Sequence, residues 1–326
     1  MAPDRAKATQ IGPVGTPASA PSRLVAILIA RPGANALGQD LVEAAASRIA
    51  GLCPSGSDGI QQRCLAPGEA YEIEFDGRGS DPQTHARELR SLVDARDLDL
   101  AVLPAEHRRK RLLLADMEST IIQQECLDEL ADYVGLRARV ATITARAMRG
   151  ELDFAAALRE RVALLKGLNA EVLEEVYRQR VTLMPGAQIL IATMKSSGAT
   201  CALVSGGFSF FAQRIAARLN FDVHYANRLD ISAGRIAGTV GEPILGRDAK
   251  RAALRRLAHA HRLRRDETMA VGDGANDIDM LKAAGLGVAF RARPTVAAQA
   301  AVAIVHGDLT ALLYLQGYAR REFVER

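Results

Sequence analysis

Four short, almost wholly apolar runs constrain this chain most: Leu112-Leu113-Leu114-Ala115, Ala202-Leu203-Val204, Thr268-Met269-Ala270-Val271 and Gly287-Val288-Ala289-Phe290. An unbroken apolar run of this kind marks a strand buried on both faces, as in a parallel sheet covered by helices on each side. Helical material separates the runs, so the chain is expected to form a doubly wound α/β domain. Three of the runs lead into polar segments: Asp116-Met117-Glu118-Ser119-Thr120, Ser205-Gly206-Gly207 and Gly272-Asp273-Gly274-Ala275-Asn276-Asp277. Lys250 sits in a helix start, Gly246-Arg247-Asp248-Ala249-Lys250, between the second and third of them. Open parallel sheets bind ligands at the carboxyl ends of their strands. All four groups are therefore expected to converge on one crevice.

Those residue types suit phosphoryl transfer. A carboxylate is able to attack phosphorus and form an acyl-phosphate. Because nucleophile and phosphate are both anionic, positive charge is needed between them, and a divalent metal held by carboxylates and carbonyls supplies it. Asp116 and Asp273 offer carboxylates from two strand ends. Ser205 offers a hydroxyl, Gly206 and Gly207 let backbone N–H groups approach, and Lys250 adds a fixed charge. A carboxylic acid two residues after the nucleophile, Glu118, is placed to protonate a leaving alkoxide and then to activate water. Each feature alone is an ordinary turn or surface residue; their order within one α/β domain is what argues for a site.

The rest of the chain frames that domain. Residues 123–183 read as a helical insertion over the sheet's carboxyl edge, a cap. Residues 23–105 carry a strand, a helix with Leu41, Val42, Ala45, Ile49 and Leu52 at helical spacing, two strands around Pro67-Gly68, a second helix and a last strand. That β-α-β-β-α-β order is ferredoxin-like. Residues 1–22, rich in Ala, Pro, Ser and Gly, read as a flexible leader without a signal-peptide core. No stretch is long and apolar enough to span a membrane. Cys53, Cys64, Cys126 and Cys201 lack metal-ligand spacing and read as reduced thiols of a cytoplasmic protein. The formal charge of +4 is mild, and the longest basic run, His107-Arg108-Arg109-Lys110-Arg111, reads as a solvated linker rather than a nucleic-acid contact.

The ordered set of strand-end motifs resembles the haloacid dehalogenase superfamily of phosphotransferases. Finer matches point to the phosphoserine phosphatases within it: Asp116 to Thr120, Glu125, Leu158-Arg159-Glu160-Arg161-Val162, Val204 to Phe208, Ala226-Asn227-Arg228-Leu229, and Val271 to Asp277. The likeness covers roughly residues 112–315. It implies a HAD-like Rossmannoid core at 106–326 with a cap, preceded by an ACT-like regulatory module. It also implies hydrolysis of O-phospho-L-serine, the last step of serine biosynthesis. Asp116 would be the nucleophile and a Mg²⁺ ligand, together with the backbone carbonyl of Glu118, Asp273 and, behind them, Asp277. Ser205, Gly206 and Lys250 would hold the substrate phosphate, Glu125 its ammonium and Arg161 its carboxylate, under Met148 and Phe154 of the cap, with Asn276 at the substrate and helping Asp277 to shape the metal shell. An amino-acid effector at the first module and a homodimer are the other partners the likeness suggests. The chain departs from the family pattern at Glu118, where the family has Asp. Transfer to another alcohol such as homoserine, action on another small phosphomonoester, and a non-catalytic amino-acid sensor are the competing readings.

Overall fold

The computed structural model describes residues 23–325 apart from 54–55, 79–80 and 149–150, together with all their side chains except those of Ala95 and Met148. The expected leader therefore falls outside the described residues.

The first layer is β1 (Arg23–Ile29), α1 (Gln39–Ala50), β2 (Gln61–Ala66), β3 (Ala70–Asp76), α2 (Pro82–Val93) and β4 (Asp99–Pro104). The strands form an antiparallel sheet in the order β2-β3-β1-β4. Helix α2 starts where Asp81 accepts a hydrogen bond from the Gln83 N–H at 3.2 Å and Pro82 takes the first helical position. From Leu24 onward β1 is apolar because both faces of its sheet are covered. Leu24, Ala26 and Leu28 pack under α1 and α2, whereas Val25, Ile27 and Ile29 join the core of the following domain.

The second layer opens with β5 (Leu112–Asp116) and a cap of four helices, α3 (Cys126–Tyr133), α4 (Arg137–Met148), α5 (Phe154–Ala163) and α6 (Val172–Arg180). There follow α7 (Ala187–Ser196), β6 (Thr200–Phe208), α8 (Ser209–Leu219), β7 (Val223–Asn227), β8 (Leu229–Ser232), β9 (Arg235–Val240) and α9 (Arg247–Ala260). The chain closes with β10 (Thr268–Gly272), α10 (Ile278–Ala283), β11 (Leu286–Phe290), α11 (Pro294–Ala297), β12 (Val302–Ile304) and α12 (Ala311–Leu315). Six strands form a parallel sheet in the order β12-β11-β10-β5-β6-β7.

The four apolar runs are four of those strands, with β5 and β10 side by side at the centre. The two edge strands lacked the same signal: β7 is half-exposed and β12 has only three residues. The β8–β9 hairpin was likewise unexpected. It turns at Ala233 and Gly234, both at positive φ, the conformation a two-residue hairpin loop requires.

The basic run is solvated only in part: His107, Arg109 and Arg111 are exposed, whereas Arg108 and Lys110 turn inward. The Arg108 guanidinium is buried between the layers, donating to Glu72 at 2.6 Å and to the carbonyls of Tyr314 and Leu315. Beside it the Tyr314 hydroxyl donates to Glu69 at 2.8 Å. At the other end of the junction, buried Asp99 accepts backbone N–H groups from Val305, His306 and Gly307. The first sheet is thus locked face-on against the carboxyl-terminal segment by apolar contact and charge-assisted hydrogen bonds. Among the described residues no helix is long and apolar enough to cross a membrane.

Candidate active site

Parallel pairing of β10 with β5 and of β5 with β6 brings the expected strand ends together at one edge. Asp116 closes β5, is 5% exposed, and accepts on Oδ1 both the Met117 N–H at 2.8 Å and the Lys250 ammonium at 2.7 Å. Lys250 reaches up from α9, fully buried, and also meets Asp277 Oδ1 at 2.7 Å. The second Asp277 oxygen accepts the Gly274 N–H at 3.0 Å. Asp273 is held by the Thr120 hydroxyl at 3.3 Å.

Carboxylate oxygens of Asp116, Asp273 and Asp277 lie within 4.8 Å of one another. Three carboxyl groups face one ammonium in a mostly buried place. Burial and the neighbouring carboxylates hold Asp116 well above the usual carboxylate range and push Asp273 up to about 7, in each case against the Lys250 charge. Burial also works against the Lys250 charge, but Asp116 and Asp277 outweigh it and raise its pKa. All-oxygen donors with surplus negative charge fit a hard divalent cation. The Glu118 backbone carbonyl accepts no hydrogen bond among the described residues and is free to serve as a further oxygen donor.

The Glu118 side chain turns away from this cluster toward the cap. Its Oε1 accepts the Cys126 N–H at 2.8 Å, at the first turn of α3, and its Oε2 faces the Ser205 hydroxyl at 3.4 Å. Burial, aided by the Glu125 carboxylate, pushes Glu118 up to about 7 despite the Cys126 N–H. The next residue, Ser119, holds the left-handed conformation at φ 54°, and its hydroxyl donates to Glu125 at 2.7 Å. Such backbone strain persists only where its surroundings enforce it.

Asp116, Glu118, Glu125, Phe154, Arg161, Gly206, Asp273 and Asn276 all line one cavity of 140 Å³. Ser205 and Lys250 lie beneath its floor rather than in its wall: Ser205 accepts the Gly207 N–H at 2.8 Å and so shapes the loop. Phe154 stands over the loop, its ring 2.9 Å from where a Cβ on Gly206 would sit. Met148 ends α4, and its side chain lies outside the described residues. Sequence reasoning gave no role to Thr120 or Asn227, although both stood inside quoted motifs. Asn227 donates to the Gly206 carbonyl at 2.8 Å and accepts from the Leu245 N–H at 2.6 Å, tying the β6 loop to the lead-in of α9. Leu127 and Leu158 also line the cavity; Leu158 opened a quoted run without being given a role, and Leu127 carried only an ordinary helix-core signal.

A family model described as haloacid dehalogenase-like hydrolase matches residues 113–282, the stretch that carries every one of these groups. The chain belongs to the haloacid dehalogenase-like hydrolases. Phosphatases of this family use a divalent metal, in keeping with the acidic cluster. The chain is 43% identical over 284 residues to the phosphoserine phosphatase of Streptomyces coelicolor, covering 86% of this chain and 68% of that protein. It is 45% identical to the phosphoserine phosphatase SerB2 of Mycobacterium tuberculosis over 66% of this chain, and spans about half, 52%, of that protein. The crystal structure of a probable phosphoserine phosphatase from Vibrio cholerae superimposes with a TM-score of 0.71 at 29% identity, covering 92% of this chain and 88% of that one. That match takes in the ACT-like sheet as well as the HAD-like core and cap.

Proposed function

We propose that the chain hydrolyses O-phospho-L-serine to L-serine and phosphate, the closing step of serine biosynthesis, through an aspartyl-phosphate on Asp116. The observation that carries the reading is the lining of the cavity. An attacking carboxylate, an acid with its pKa near 7, an Arg and a Glu face one space too small for a large substrate. Phosphoserine has a matching set of groups: a phosphate, a carboxylate for the Arg161 fork and an ammonium for Glu125. The phosphoserine phosphatases among its relatives support the same substrate.

In the first half-reaction Asp116 attacks phosphorus, the bond from phosphorus to the serine oxygen breaks, and Glu118 gives its proton to that oxygen. In the second half Glu118 takes a proton from water as the water oxygen attacks phosphorus, freeing phosphate and restoring Asp116. A pKa near 7 suits both duties. Mg²⁺, held by Asp116, the Glu118 carbonyl and Asp273 with Asp277 behind them, would supply the positive charge that lets carboxylate meet phosphate. Lys250 orients Asp116 and adds charge from below, while the Gly206–Gly207 loop and Asn276 receive the phosphate oxygens. Phe154 covers the loop and excludes water.

The test is phosphate release with Mg²⁺ from phosphoserine, phosphothreonine and sugar phosphates. Phosphoserine is expected to give the highest kcat/KM, and Arg161→Ala to remove that preference chiefly through KM. Equal rates on all three substrates contradict the substrate assignment.

A further inference from the structure

A second, larger pocket lies at the opposite end of the central sheet, where the two layers meet. Its volume is 520 Å³, inside the roughly 300–1,000 Å³ span of small-molecule sites. The apolar wall is Leu103 and Pro104 at the end of β4, Leu286 at the start of β11 and Leu315 at the end of α12. The polar wall is the connector bearing Arg108 and Lys110, facing Arg264, Arg265 and Asp266 just before β10.

The charges of this wall do not cancel. Arg108 is matched by Glu72 and Arg264 by Asp266, at 2.6 and 3.0 Å. Arg265 donates to the carbonyls of Lys282, Ala283 and Ala284 at the end of α10, which are neutral partners. The Lys110 ammonium donates to the carbonyls of His107 and Asp266, each at 2.7 Å. Two cations thus meet no carboxylate at hydrogen-bond distance, against one further acid in the lining, Glu106, leaving a net charge of one positive. An ammonium has three donors, and Lys110 uses two. Burial, with Arg108 adding repulsion, brings Lys110 down to about 8 although Asp266 opposes the shift. An anion in the pocket would relieve that penalty.

We propose that this pocket binds a small organic monocarboxylate with a short apolar body. The carboxylate sits on the free donor of Lys110 and the body on Leu103, Pro104, Leu286 and Leu315. A single surplus charge suits a monoanion better than a phosphate dianion, and the apolar wall excludes a bare inorganic ion as the best occupant. The pocket is separate from the active site: Lys110 precedes β5 and Asp266 precedes β10, the strands that lead to Asp116 and Asp273. About six residues at ~3.3 Å each put the two sites about 20 Å apart. A ligand here touches both layers at once. The assignment stands independently of the phosphatase reading.

The test is calorimetric titration of 4-methylpentanoate into the full chain at pH 7, with 4-methylpentan-1-ol and 4-methylpentan-1-amine as isosteric controls. The carboxylate is expected to bind with 1:1 stoichiometry, at least about tenfold more tightly than either control. Lys110→Met is expected to weaken it about tenfold while the far-ultraviolet circular dichroism of the parent is retained. Leu103→Trp, which fills the pocket and leaves every charge in place, is expected to abolish it. No saturable binding at millimolar carboxylate, equal binding of the alcohol or amine, or unchanged affinity in Leu103→Trp overturns the proposal.

Discussion

The carboxylate of Glu118 fills the space beside Gly207: a Cβ built on that glycine would lie 2.5 Å from Glu118 Oε2. No positive φ is needed at this glycine, so what leaves no room for a side chain there is the Glu118 carboxylate. Gly207→Ala is therefore expected to displace Glu118 and lower kcat about a hundredfold, the effect of a misplacement of roughly an ångström. Circular dichroism and Tm should stay close to the parent. Unchanged kcat would mean that Glu118 works from another position.

The extra methylene of Glu118 is used to reach the Cys126 N–H in the cap. Glu118→Asp should lose that hydrogen bond and fall at least about tenfold in kcat, despite keeping a carboxylic acid. Glu118→Gln should nearly abolish turnover. Steady-state kinetics on both variants checks the pair, and a fully active Gln variant excludes Glu118 as acid and base.

Asp273, pushed up to about 7, links metal binding to pH. A raised carboxylate pKa stabilises the metal-free fold at low pH, and that contribution is lost as pH rises through about 7. A divalent cation replaces the proton, so the rise in Tm on adding Mg²⁺ should be larger at pH 8 than at pH 5.5. Differential scanning calorimetry at the two pH values decides this. Asp273→Asn should remove most of the difference, and an equal rise at both pH values contradicts it.

The junction between the layers gives a stability prediction. Asp99 accepts three backbone N–H groups from the segment after β12. Asp99→Ala leaves them without that acceptor and should lower stability by about 3 kcal/mol, read by urea denaturation. A change below about 0.5 kcal/mol would place it among ordinary surface substitutions.

The parallel core was legible because burial on both faces leaves an unbroken apolar run, and β5, β6, β10 and β11 each carry one. Strand β7 was not, because an edge strand with an exposed face has no such run, and β12 is too short for any periodicity. The carboxylates and glycines of the site were legible because they sit next to those runs in the chain. Asn227 was harder: its work is to join Gly206 to Leu245, a relation between distant segments that no local pattern encodes. The His107–Arg111 run misled in part, at Arg108, for the same reason. Its partners Glu72, Tyr314 and Leu315 are far away in sequence, so burial of Arg108 becomes visible only once the two layers are docked.

The proposed reaction turns on a covalent intermediate at Asp116. The direct measurement is acid quench of the enzyme during phosphoserine turnover, followed by peptide mass spectrometry. A phosphate adduct is expected on the peptide that contains Asp116, absent from Asp116→Asn, whose turnover is abolished. An adduct on another residue, or steady turnover by Asp116→Asn, would contradict it.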